Sequence, residues 1–323
     1  MTRFWNTAPA LLLLTMLLWS GNFVIGRAVA DLVSPVLLAT LRWTGALLVA
    51  LPFAWPHLRR DAPALWRAGW LMLLLAGLGV AAFNTLVYTG LHHTTAINAL
   101  LLQSAMPLCI LVAAFALFGE RPTPVQVAGI TVSLLGVLAI AGRGSPEVLL
   151  ALRLNPGDAL VLAAVAAYSV YSALLRRRPP VHPLSFLAAT FALGVLLLLA
   201  PLALELRSAG GLRHSVPAWL AISYTAVFPS FVAYLCFNRG VELIGAARAG
   251  QYLHAMPAMG SIMAVLFLGE AFRAYHVAGI ALIGAGLWLA TRAPAPVHDP
   301  AFKPKCGEPG GAACAPSPGR PRK

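Results

Sequence analysis

From Ala8 to Val29 the chain passes through an unbroken apolar run whose one charged residue is Arg27. A hydrocarbon layer ~30 Å thick is crossed by about 20 helical residues at ~1.5 Å rise each. Nine further runs of similar length follow, so candidate spans fall at 8–29, 34–55, 68–90, 96–118, 124–142, 157–175, 184–204, 216–237, 247–268 and 274–291. Lipid offers the backbone no hydrogen bonds, so each span must satisfy its own as a helix. No period-two alternation of a membrane barrel is present. Composition agrees: 59% of residues are hydrophobic and 10% charged, against roughly 25% charged in soluble domains. The expectation is an all-α polytopic membrane protein with ten transmembrane helices.

Arg3 and the small residues Ala28-Val29-Ala30 imitate a cleaved signal. The run between them is span-length, and cleavage would leave nine helices.

Positive charge sets the orientation. With the N-terminus inside, Arg3, Arg59, Arg60, Arg67, Arg121, Arg176, Arg177, Arg178, Arg239, Arg248 and six basic residues from Arg292 onward share one side. Arg27, Arg143, Arg153, Arg207, Arg213 and Arg273 occupy the other. Both termini are therefore expected in the cytoplasm, with the chain in the cytoplasmic (inner) membrane. The net charge of +13 reads as this asymmetry and calls for no nucleic acid. Membrane lipids are expected neighbours of the Arg176–Arg178 run.

A second feature organises the first. Residues 105–120 read AMPLCILVAAFALFGE and residues 255–270 read AMPAMGSIMAVLFLGE. The offset of 150 persists through Val127-Ala128-Gly129-Ile130, repeated as Val277-Ala278-Gly279-Ile280, and through Gly136 and Gly286. The chain is a duplicated five-helix unit. Five is odd, so the second copy enters the membrane from the opposite face, an architecture that places substrate sites at the midplane between halves. The expected divisions are an N-terminus at 1–7, repeats at 8–142 and 157–292, an extracytoplasmic linker at 143–156 and an unstructured basic tail at 293–323.

Pro107 and Pro257 recur mid-span in register. Proline removes a backbone donor and clashes with the carbonyl four residues back, and paired interrupted helices point to a transporter's cavity or hinge. Glu120 and Glu270 end their spans just before the next helix and read as structural, favoured by the helix dipole.

Trp19-Ser20-Gly21-Asn22-Phe23, Pro35 with Arg42, FNTLVYTGLHHTTA at 83–96, the two Gly-Glu ends and YLCFNRG at 234–240 together resemble the EamA-domain type of the drug/metabolite transporter superfamily. The resemblance covers roughly 8–292. It implies two inverted five-helix EamA-like repeats around a central cavity and alternating access, often exporting amino acids or related metabolites. The second copy departs from it with Tyr168-Ser169 where the first has Trp19-Ser20, so the cavity walls are expected to differ.

Polar groups inside spans are costly and serve as candidates. Arg42 could hold a substrate carboxylate with its planar fork of donors, or snorkel or pair with a backbone carbonyl. His254, beside Gln251 and one turn before Pro257, reads either as a packed histidine or as a cavity group and proton relay. Asn22, Asn84 and Gln103 could bond a substrate or bridge helices. Trp19, Tyr88, Tyr168, Tyr171 and Tyr234 could line an amphipathic cavity or anchor at the interface. No carboxylate falls mid-span, so proton coupling through His254 and uncoupled diffusion both stay open. No Walker A, HExxH or GxSxG pattern occurs, and no cofactor or metal is expected. The expected function is a secondary transporter exporting small amphipathic metabolites, amino acids foremost, with a lipid-linked-sugar flippase or a membrane-embedded lipid-modifying enzyme as the alternatives.

Overall fold

The computed structural model describes residues 2–94, 99, 102–145, 147–148, 155–207, 211–268, 273–291 and 297–298. It is an all-α polytopic membrane protein. Its principal helices are α1 (Ala8–Ala28), α2 (Pro35–Arg67), α3 (Gly69–His93), α4 (Met106–Phe118), α5 (Pro124–Ala141), α6 (Pro156–Arg177), α7 (Pro183–Arg207), α8 (Val216–Ile244), α9 (246–268) and α10 (Ala274–Thr291). Seven of them, α1, α2, α3, α5, α6, α7 and α8, are long and apolar enough to cross a membrane among the described residues.

The helix ends follow local chemistry. Thr123 and Gln126 form a capping box at the start of α5, and Asn155 and Asp158 form another at the start of α6. Gly119 closes α4 at φ 67°, a left-handed conformation in which a side chain would be strained.

Two boundaries differ from the sequence expectation. The second span does not stop near residue 55: α2 runs 33 residues through Pro52, Pro56 and Pro63 to Arg67. At ~1.5 Å per residue that exceeds the hydrocarbon thickness by about 20 Å, and the charged residues Arg59, Arg60, Asp61 and Arg67 lie in its last turns. In the tail expected to be unstructured, Val297–His298 pairs antiparallel with Glu120–Arg121. The rest of that tail, Glu270 and half of the 143–156 linker (146 and 149–154) lie outside the described residues.

The two sequence halves interleave. α1 packs on α8 and α9, α2 on α7 and α6 on α3 and α4. α5 and α10 meet through their glycines: a Cβ on Gly136 would lie 2.6 Å from the Gly279 carbonyl oxygen, and one on Gly286 would lie 2.5 Å from that of Gly129. Gly129 corresponds to Gly279 and Gly136 to Gly286 at the offset of 150. Each glycine thus meets its partner's counterpart, and the two helices run antiparallel with their backbones in contact.

Packing this close leaves no room for a side chain. Gly136→Val should destabilise the protein by about 1–3 kcal/mol through forced overpacking. Gly284→Val should cost little, because an added Cβ there meets nothing within 4 Å. Thermal melts of the two variants in one detergent check the contrast, and equal melting points would refute it.

Candidate functional site

Two helices change their hydrogen-bond register at matching places. α3 contains a π turn at Gly77–Ala82 and α8 one at Ala226–Val232. Within α3 the Phe83 N–H reaches back to Leu78, skipping the Gly79 carbonyl; within α8 the Ala233 N–H reaches Phe228, skipping that of Pro229. Gly79 and Pro229 are 150 residues apart. Each stranded carbonyl accepts one aromatic donor: the Tyr234 hydroxyl bonds Gly79 at 2.5 Å and Trp19 Nε1 bonds Pro229 at 3.0 Å. Such π turns cluster at functional sites. The helix breakers Gly79 and Pro229 at one offset are the sequence signal that could have revealed them.

Beside these turns lies the buried Arg42, 1% exposed. Its Nη1 donates to Asn22 Oδ1 (3.0 Å), Asn84 Oδ1 (2.9 Å) and the Tyr88 hydroxyl (2.5 Å), while Nε donates to Ser230 Oγ (2.8 Å). Tyr88 donates in turn to Asn22 (2.8 Å). Ser230, held by the Thr225 carbonyl in the second π turn, was not anticipated. Across the repeat the Asn22–Tyr88 pair has a counterpart of exchanged residues, the Tyr171 hydroxyl donating to Asn238 (3.1 Å).

Arg42 borders a small cavity of about 20 Å³, room for one water. Its lining pairs across the repeat: Trp19 with Tyr168, Asn84 with Tyr234, Gln103 with Leu253, and Met106 with Met256. Asn22, Phe23, Arg42 and Phe83 complete it, all from the first half. The first half thus supplies the cation and the amides beside Trp19, Phe23, Phe83 and Met106, whereas the second offers Tyr168, Tyr234, Leu253 and Met256. The expectation of unlike walls agrees with this geometry.

Several expected residues stand elsewhere. Pro107 lies in the first turn of α4 after a break at Ser104–Ala105, and Pro257 follows a 3-10 turn at Tyr252–His254. Both helices are irregular there, but it is the neighbouring Met106 and Met256 that reach the cavity. His254 turns from the cavity lining: Nε2 donates to the Ser104 carbonyl (2.8 Å) and Nδ1 faces Ser133 Oγ (2.5 Å). Gln251 is buried without lining the cavity, and Tyr171 packs beneath it against Tyr168, ring centroids 5.2 Å apart. Glu120 does not cap α5, a role Thr123 fills; it pairs with Arg176.

The two membrane faces differ. On the face of the N-terminus a vestibule of about 520 Å³ opens between Phe118, Arg176, Arg178, Asn238, Glu242 and Arg248. Glu242 joins Arg178 (2.7 Å) and Arg239 (3.1 Å) at its rim. On the cavity lining Trp19 packs against Tyr168 (5.6 Å) and Tyr234 (5.7 Å), and behind it against Phe237 (5.1 Å), as one aromatic stack. On the opposite face the segments before α2 and before α8 are joined by backbone contacts. Val33 and Leu212 form a β-bridge, and Arg213 N–H donates to the Leu32 carbonyl (2.8 Å). Glu205 caps the start of α2, accepting from Ser34 Oγ (2.6 Å) and from the Val36 and Leu37 amides (2.9 Å each).

Comparison with known proteins places this geometry. Residues 6–142 and 155–292 each match the EamA-like transporter family. A probable terminal-alkyne amino-acid exporter of Streptantibioticus cattleyicolor is 28% identical, covering 87% of this chain and 92% of its own. A probable amino-acid metabolite efflux pump of Salmonella typhimurium is 26% identical over 86% and 93%. The uncharacterized transporter YyaM of Bacillus subtilis is 26% identical over 68% and 72%. One crystal structure superposes with a TM-score of 0.70 over 88% of this chain and 96% of its own, at 22% identity, a likeness of fold.

The stranded carbonyls make a direct test. Tyr234→Phe keeps the ring and removes the only donor seen on the Gly79 oxygen among the described residues. It should cost about 1–3 kcal/mol, the penalty for an unsatisfied buried acceptor, read as a lowered melting temperature. No change would show that the π turn does not need this cap.

Proposed function

The chain belongs to the EamA-like transporter family, and from that premise we propose that it is a secondary carrier exporting small amphipathic metabolites, amino acids among them, by alternating access. The repeats at 8–142 and 157–292 form two inverted five-helix units, ten membrane helices in all, with the site at their midplane junction. The single observation that carries the reading is the cavity itself, assembled from paired positions of both repeats with Arg42 on one wall. Two features of the relatives support it: the exporter of Streptantibioticus cattleyicolor and the efflux pump of Salmonella typhimurium both carry amino-acid names.

The substrate enters by the vestibule, which opens on the arginine-rich face and so on the cytoplasm by the positive-inside rule; both termini lie there, in the inner membrane. The aromatic stack then parts, and the head group meets Arg42, Asn22, Asn84 and Gln103 while the apolar portion lies against Tyr168, Tyr234, Leu253 and Met256. In the described conformation the cavity is too small for an amino acid, so this is a narrow, cytoplasm-facing state. Release requires the Val33–Leu212 bridge and the Glu205 cap to separate. Pro107 and Pro257, beside irregular turns in α4 and α9, are the hinge candidates.

Efflux from proteoliposomes loaded with labelled amino acids tests the function, with and without a pH gradient. Saturable efflux that rises with the gradient would implicate a proton step and His254; absence of any efflux would sink the amino-acid reading. For alternating access, Val33→Cys with Leu212→Cys in a background lacking the native cysteines should lose at least tenfold in flux when oxidised and regain it on reduction. Full flux through the cross-linked protein would refute opening on this face.

A further inference from the structure

The charge inventory of the cavity narrows the substrate class, on the premise of the carrier reading above. Arg42 has four hydrogen-bond partners, Asn22, Asn84, Tyr88 and Ser230, and all are uncharged. The ion pairs among the described residues lie at the vestibule rim, between Arg176 and Glu120, Arg178 and Glu242, and Arg239 and Glu242. The one carboxylate among the described buried side chains, Asp158, is held by Thr94 (2.5 Å) and Asn155 at the opposite face. A buried charge is expensive unless it is paired, and among the described residues Arg42 has no carboxylate partner, only uncharged acceptors and the Trp43 and Tyr88 rings.

The rest of the lining points the same way. Gln103 Nε2 is buried with no hydrogen-bond partner among the described residues, and its side chain borders the cavity at 6% exposure, whereas the Asn84 amide and the Tyr168 hydroxyl both meet the Tyr234 hydroxyl. Unsatisfied buried groups are rare and call for an explanation. An amide nitrogen only donates. The strong acceptors nearby, the Gly79 and Pro229 carbonyls, are already taken by Tyr234 and Trp19. The site therefore presents a cation and a spare donor but no anion.

We propose that this site recognises a carboxylate and rejects an ammonium: its preferred substrates are amphipathic monocarboxylates whose α-amine is absent or acylated, ahead of zwitterionic amino acids. The carboxylate supplies the counter-charge to Arg42 and accepts from Gln103. An α-ammonium brought along with it would lose its water beside a guanidinium and meet no carboxylate. The apolar chain lies against the Tyr168, Leu253 and Met256 wall, which explains why that wall carries no charge.

The test measures binding and transport separately on the full chain. In nanodiscs, labelled N-acetylleucine is displaced by unlabelled N-acetylleucine, 4-methyl-2-oxopentanoate, leucine and leucinamide. The two monoanions should compete about tenfold or more better than leucine, the size expected for a charged hydrogen-bond mismatch, and leucinamide should not compete. Leucine competing as well as the monoanions, leucinamide competing at all comparably, or no carboxylate binding would each overturn the proposal.

Asn84→Asp places a carboxylate beside Arg42 with the shape unchanged and should weaken N-acetylleucine tenfold or more without lowering the melting temperature. Unchanged affinity in the folded variant overturns the assignment. If that variant does not fold, Gln103→Met removes a single donor and should weaken both monoanions severalfold without affecting the order of the amines; no weakening counts against it. Counterflow in proteoliposomes then separates the two readings. Binding with the predicted order but no counterflow keeps the selectivity and sinks the carrier, whereas counterflow indifferent to charge keeps the carrier and sinks the selectivity.

Discussion

Within a membrane every backbone polar group has to find its partner inside the protein, and the interior of this molecule is arranged around the places where helices break that rule. The π turns in α3 and α8 each strand one carbonyl, Gly79 and Pro229, and each is rescued from another helix, by Tyr234 and by Trp19. The break before Pro107 leaves the Ser104 carbonyl to His254. Across the same cleft the Met256 carbonyl accepts from Ser20. These side-chain-to-backbone bonds cross between the sequence halves, so the irregular helices tie the two repeats together at the level of the cavity.

The same bonds account for the aromatic character of the centre. A residue that caps a buried carbonyl needs a donor at its tip and an apolar body behind it, and tyrosine and tryptophan provide both. Once Trp19 and Tyr234 are fixed by their carbonyls, Tyr168, Tyr171 and Phe237 pack around them as one connected set of rings.

Duplication gave the cavity symmetry of position, and divergence removed its symmetry of chemistry. Asn84 faces Tyr234 and Gln103 faces Leu253, while Arg42 corresponds to Ala192 at the offset of 150. The charge and the amide groups all come from the first half, which also contributes Trp19, Phe23, Phe83 and Met106, while the second half contributes two tyrosines, a leucine and a methionine. Where both copies stay alike, at Gly129, Gly136, Gly279 and Gly286, the reason is mutual contact: each is packed against the counterpart of the other.

Much of this was legible in the sequence, and the part that was not has a physical cause. Apolar runs, arginine asymmetry and the 150-residue repeat determine a helical membrane protein made of two related units, because span length and charge placement are constraints of the bilayer acting on each segment alone. They also singled out Arg42, Asn22, Asn84, Tyr88, Gln103, Trp19, Tyr168 and Tyr234, since polar and amphipathic side chains inside a span have to be turned inward. What the periodicity could not reveal depends on neighbours distant in the chain. The π turns look like ordinary helix in sequence, α2 continues through its prolines while packed along α7, and His254 is drawn to Ser133 and Ser104 and away from the cavity by partners 121 and 150 residues away. The sequence by itself determined which residues must be buried. Only the tertiary structure decided which of them share a cavity and which merely join helices, because that depends on how far each helix rotates and which stranded carbonyl each side chain has to reach.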